Sequence, residues 1–195
     1  MNICSGLLLI FILISPSTSF SQKKNPLPFD SMRNYTIPQS WENVAIKEIS
    51  GSELLEQIQN RPKKLNWVVI YTAHCSGTEY MMNYIKEMQD KYRDSIEVYL
   101  LSSNNYSELE SLQKILFKYR VEIQPYIINK SYGKYGDQRK KGVKLRNEIC
   151  EACKKDVIGV PYNMVFDNQQ NLLFHGFKSY QNNLPEDFIS YLMTQ

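Results

Sequence analysis

The sequence predicts an α/β domain, and three observations carry that prediction. Strand-like and helix-like stretches alternate along most of the chain, the pattern of a sheet with helices packed on it. "NWVVIYT" (Asn66 to Thr72) is almost wholly apolar, as in a strand covered on both faces and central in its sheet. Near the end, "GVPYNMVFDNQQNLLFHGF" reads as strand, polar turn and strand, a β-hairpin ahead of a final helix.

The elements follow in order. "VAIKEI" (Val44 to Ile49) is a short strand. "SGSE" (Ser50 to Glu53) is a capping box that opens a helix through about Asn60, because Ser and Glu satisfy each other's free backbone N–H groups. After the apolar strand, Met81, Ile85, Met88 and Tyr92 recur at helical spacing and mark a buried helix face. "IEVYLLS" (Ile96 to Ser102) is the next strand. "SELE" (Ser107 to Glu110) reads as a second capping box, with Leu109, Leu112, Leu116 and Tyr119 on the packed side of its helix. "QPYIIN" is a short extended piece. The basic stretch from Lys134 to Arg146 leads into a helix carrying "CEAC" and reads as a solvated face that could attract an acidic partner. "LPEDFISYLMT" closes the chain as a helix.

At 195 residues the chain is long enough for one domain, and 43% hydrophobic content is enough to fill a core. Lys plus Arg (23) against Asp plus Glu (20) leaves +3, which gives no reason to expect a nucleic-acid partner. Residues 1–21 read as an export signal. Leu7 to Ile14 is apolar but too short to span a bilayer, and Ser19 and Ser21 suit cleavage before Gln22. The expected destination is the periplasm or beyond, with no stable membrane span once the signal is removed. Residues 22–40 read as a tether or arm, and 41–195 as the domain. Cleavage would remove Cys4 and leave Cys75, Cys150 and Cys153, an odd number that suggests one pair and one free thiol.

"VVIYTAHCSGT" ends an apolar strand on Cys75 at the mouth of a helix. "IGVPYNMVFD" places a valine before Pro161. "NQQNLLFHGF" closes a hairpin with Gly176. Together with the order of elements, these motifs resemble the thioredoxin-like fold, nearest to exported TlpA-type thiol–disulfide oxidoreductases. The resemblance spans roughly Val44 to Gln195, with an insertion around Asn129 to Lys155. It implies a three-layer sandwich in which a central mixed sheet is flanked by helices. It makes Cys75 the attacking thiol and Val160–Pro161 a cis bond. Thr78 and Pro161 complete the catalytic set, and His74, Val160 and Tyr162 line the substrate groove. It implies protein or peptide thiols and disulfides as partners, and no cofactor.

The motif departs from its relatives. Thr78 stands where a resolving cysteine is usual, His74 replaces a tryptophan, and Ser76-Gly77 replace a pair that usually includes proline. Val69 occupies a position where relatives often carry a buried Asp or Asn. Physical chemistry still leaves Cys75 a role. A helix N-terminus favours thiolate and can lower a thiol from its ordinary pKa of ~8.5. Thr78 could hydrogen-bond the sulfur, and His74 could add charge if it turned inward. A lone thiol can form only a mixed disulfide, so an external reductant or resolving thiol is required.

Cys150 and Cys153 have three readings: a structural disulfide, a relay for Cys75, or half a metal site. Two cysteines need further ligands, and only Cys75, His74 and His175 are available, with nothing in the spacing to bring them together. A structural disulfide or two packed thiols is the favoured reading, and no metal is assigned. His175 reads as a packed or surface residue. The rival function is a redox-silent module that holds a protein or peptide in the same groove.

Overall fold

A computed structural model describes residues 36, 38–61, 63–133, 137–157, 159–177, 189 and 192–194. The export signal at 1–21, most of the arm at 22–40 and most of the closing helix lie outside the described residues.

β1 (Lys47–Ile49) is followed by α1 (Gly51–Gln59), β2 (Leu65–Tyr71), α2 (Ser76–Tyr92), β3 (Ile96–Ser102) and α3 (Leu109–Lys118). Next come β4 (Pro125–Ile128), α4 (Gln138–Ile149), β5 (Tyr162–Asp167) and β6 (Leu172–Phe177). Residues 189 and 192–194 are helical. The six strands form one sheet in the order β1-β4-β3-β2-β5-β6. The first four run parallel, while β5 is antiparallel to β2 and β6 to β5. The sheet is therefore mixed. "QPYIIN" supplies a full strand, wedged between β1 and β3.

β2 shows why the chain makes layers. Its alternate residues Leu65, Trp67, Val69 and Tyr71 join Met81, Ile85 and Met88 of α2 and Leu112 and Leu116 of α3 in one cluster. Val68 and Ile70 point the other way, onto Leu54 and Ile58 of α1 and Leu145 and Ile149 of α4. All seven residues of β2 are buried, as the continuous apolar run requires of a central strand. Each fully buried large aliphatic side chain contributes about 1.5–3 kcal/mol. Helices on both faces of a mixed sheet make the three-layer sandwich.

The local signals at the helix starts hold, with one adjustment. The Ser50–Glu53 capping box forms, with the Ser50 N–H donating to Glu53 Oε2 at 2.7 Å. The second box is shifted two residues. Glu108 accepts from the Asn105 N–H at 2.8 Å and opens a 3₁₀ turn, Tyr106–Glu108, that runs into α3. Ser107 is thus inside the turn instead of capping it.

The insertion departs from expectation in part: Arg139, Lys140 and Lys144 keep one side of α4 in solvent, but two of its basic residues turn inward. Lys141 and Arg146 are 2% and 3% exposed. Their alkyl stems pack in the layer while their charged ends reach backbone carbonyls. Lys141 Nζ donates to Asn104 O at 2.7 Å, and Arg146 Nη1 to Val157 O at 3.3 Å. Nor does the helix carry "CEAC": α4 ends at Ile149, Cys150 caps it, and Cys153 sits in the 3₁₀ turn Ala152–Lys155. Among the described residues no helix is long and apolar enough to cross a membrane.

Candidate functional site

Cys75 is the N-cap of α2, in an extended conformation at φ −88° and ψ 125°. β2 has just ended, and the Cys75 N–H returns to the Thr72 carbonyl at 3.3 Å to close the turn. The thiol is free and partly exposed. It donates to the carbonyl oxygen of Val160 at 3.3 Å. Val160 is half-buried, and its bond to Pro161 is cis.

Gly77 explains how the loop comes so close. A Cβ added there would lie 2.9 Å from Pro161 Cδ and 3.6 Å from Cys75 Sγ. The proline ring therefore rests directly on the first turn of α2. Cys75, Gly77, Val160 and Pro161 form one small surface. Gly176 plays no such part, because an added Cβ would meet only Phe174 at 3.9 Å.

Thr78 does not serve the sulfur, contrary to the sequence expectation. It is fully buried, and its hydroxyl donates to the Thr72 carbonyl at 2.8 Å. Where β2 leaves the sheet that carbonyl takes the Cys75 N–H, and the Thr78 hydroxyl fills its second lone pair. Thr78 thus positions the turn that carries Cys75. His74 turns outward, away from the sulfur. Its side chain is 59% exposed, and Nε2 faces Glu108 Oε1 at 3.5 Å. Glu108 also accepts from the Asn105 N–H, from Asn104 Nδ2 at 3.2 Å and from Gln138 Nε2. Burial pushes its carboxyl up, but these bonds outweigh burial and hold it below the ordinary range.

Asn104 is the residue that sequence reasoning missed beneath this turn. It is fully buried, and its Oδ1 accepts the Ala73 N–H and the Ser102 hydroxyl, both at 2.8 Å. Its own carbonyl receives the buried Lys141 ammonium, whose pKa burial pushes down against the opposing pull of Glu108. The end of β3 and the head of α4 thereby hold the loop before Cys75. Asn104→Ala is expected to cost about 1–3 kcal/mol, because it strands two donors under the loop. Urea unfolding reads the loss, and an unchanged midpoint would mean that those donors find other partners.

A second polar group lies on the α1/α4 side of the sheet. Cys150 and Cys153 are joined in a disulfide, both buried. Tyr162, expected to line a substrate groove, is 1% exposed and belongs to this side. The alternation of β5 turns it away from Cys75, and its hydroxyl donates to Asp156 Oδ2. Burial pushes its pKa up, with the Asp156 charge adding to the effect. His175 Nδ1 lies 2.7 Å from the same Asp156 oxygen. Burial raises the Asp156 carboxyl, yet the bonds from Tyr162 and His175 outweigh it and leave the group below its ordinary value. Arg146 stacks over the Tyr162 ring at 4.8 Å.

Val69, where relatives often carry an acid or amide, is fully buried in apolar surroundings. The buried amide of that face stands one strand over. Asn163 of β5 pairs with Val69 and accepts the Trp67 indole N–H at 3.0 Å. Only the strand register brings it there.

No protein-family description and no curated protein matches the chain. Solved structures do. The thioredoxin domain of a thiol–disulfide oxidoreductase from Bacteroides vulgatus is 12% identical, with a TM-score of 0.51, over 72% of this chain and 83% of that one. A thiol:disulfide interchange protein from Bacteroides sp. is also 12% identical, at 0.51, over 72% and 78%. A thioredoxin-like protein in its oxidised form is 14% identical, at 0.52, over 82% and 95%. At these identities the likeness speaks for architecture, and with the sheet order and helix layers it establishes that this chain has a thioredoxin-like fold.

Proposed function

We propose that the protein carries out thiol–disulfide exchange through the single cysteine Cys75. The observation that carries this reading is the 3.3 Å contact between Cys75 Sγ and the Val160 carbonyl. A partly exposed thiol is held against the half-buried Val160 ahead of the cis bond instead of being packed in the core. A peptide lying along Val160 and Pro161 would have its own sulfur within bonding reach.

In the step, Cys75 gives up its proton and its sulfur attacks a substrate disulfide. A mixed disulfide forms, and the departing thiolate takes a proton. Thr78 lies where a resolving sulfur would be, so a second thiol from outside must attack the mixed disulfide and release Cys75. Asn104 and Thr78 act on geometry, since each is bonded to the loop or the turn around Cys75, and Glu108 holds Asn104 from behind. The similar thiol–disulfide oxidoreductase domain and thiol:disulfide interchange protein support this chemistry, and the apolar run at Leu7 to Ile14 supports work outside the cytoplasm, in the periplasm or as a secreted protein.

Glutathione disulfide tests the reading. The chain is expected to gain one glutathione, at Cys75, with release of one reduced glutathione and no adduct at Cys150 or Cys153. No adduct at Cys75 would overturn the reading and leave a binding module that uses the same surface without redox chemistry.

A further inference from the structure

The polar group on the α1/α4 side has no part in the exchange just described. Its residue types are ones that can hold a metal ion. Cys153, Asp156 and His175 each present one ligand atom, and these atoms lie within 4.8 Å of one another. Cys150 is joined to Cys153, so opening that bond frees a second sulfur beside the first. The Cys153 backbone N–H already donates to Cys150 Sγ at 3.2 Å, the support that a thiolate ligand needs.

We propose that the reduced Cys150–Cys153 pair, with Asp156 and His175, forms a site for a zinc-like divalent ion, which disulfide formation closes. Two thiolates, one imidazole and one carboxylate suit tetrahedral zinc, and donors this close leave room for bonds of about 2.0–2.3 Å. The outer groups are in place. The buried Tyr162 hydroxyl orients the Asp156 carboxylate, and Arg146 sits over that ring and near the Asp156 carbonyl, offsetting the negative ligands. The His175 and Asp156 side chains are 31% and 27% exposed, which gives an ion a way in.

The redox step balances. An external dithiol passes two electrons and two protons to the Cys150–Cys153 bond and becomes a disulfide. The ion then displaces two thiol protons as it binds. Reoxidation by a disulfide re-forms the Cys150–Cys153 bond, reduces that reagent to two thiols and expels the ion.

Cobalt(II) is the probe. The chain is reduced with a phosphine, desalted without oxygen and titrated beside the disulfide form. One equivalent is expected to bind to the reduced chain, with a thiolate-to-cobalt absorption band, and none to the disulfide form. His175→Ala and Asp156→Asn should each weaken binding by at least about tenfold, the smallest loss usual even for outer partners. Cys75→Ser should bind as the parent does. The proposal fails if the disulfide form binds equally, if both substitutions leave binding unchanged, or if a folded reduced chain binds nothing. Should reduction unfold the chain, return of the native circular dichroism with one equivalent of zinc supports the site, and failure to return overturns it.

Discussion

Cys75→Ser is expected to abolish covalent capture of a peptide disulfide while leaving the fold intact. Among the described residues Cys75 carries the only free thiol, and a serine hydroxyl does not attack a disulfide. The hydroxyl can, however, keep the bond to the Val160 carbonyl that the thiol makes. Stability should therefore change by less than about 1 kcal/mol, as for a partly exposed substitution without a lost partner. A non-reducing gel with a disulfide-containing peptide reads the capture. Persisting adduct would move the chemistry to Cys150 and Cys153, the remaining cysteines among the described residues. Capture lost with peptide affinity retained would show that the groove binds independently of the sulfur.

Gly77→Val is expected to slow the same reaction about tenfold to a hundredfold without removing the thiol. The new Cβ would stand 2.9 Å from Pro161 Cδ. That atom is part of a closed ring, so the neighbour cannot swing aside as a long side chain would. The loop must lift from α2, and the 3.3 Å contact between Cys75 and Val160 must open. Displacement on the order of 1 Å at a reacting centre commonly costs such factors. Iodoacetamide, which needs no loop, should alkylate Cys75 at least as fast as in the parent chain. The two reagents together isolate the role of the loop. If both rates match the parent, the contact between Gly77 and Pro161 has no bearing on the reaction.

Cys75 is a residue that the chain identifies by short-range pattern, whereas Gly77 stands in the sequence only as a departure from the usual motif and gains its role from the contact with Pro161. An apolar β-branched run ending at Cys75 and a valine before Pro161 are local signals, and the fold brings them together. Export and domain boundaries rest on the same kind of signal and stand as proposals. His74, Thr78 and Tyr162 show where such reading stops. Their expected roles follow from the resemblance and from nearness along the chain to Cys75 or Pro161. Yet His74 faces Glu108, Thr78 caps the end of β2, and Tyr162 turns to the opposite side of the sheet.

The sequence alone determined the α/β class, the central strand, the first capping box and the cysteine at a helix mouth. Periodicity, caps and turn residues are properties of a few neighbouring positions, and they survive into the fold. Only tertiary structure decided which distant groups meet. Asn104 reaches the loop before Cys75 because β3 pairs with β2 in one register. Lys141 is buried because α4 covers the sheet above Asn104. Asp156 and His175, 19 residues apart, converge because β6 returns alongside β5 beneath the turn that follows α4. Strand register and helix packing are sums over many weak contacts, and no short stretch of the chain records them.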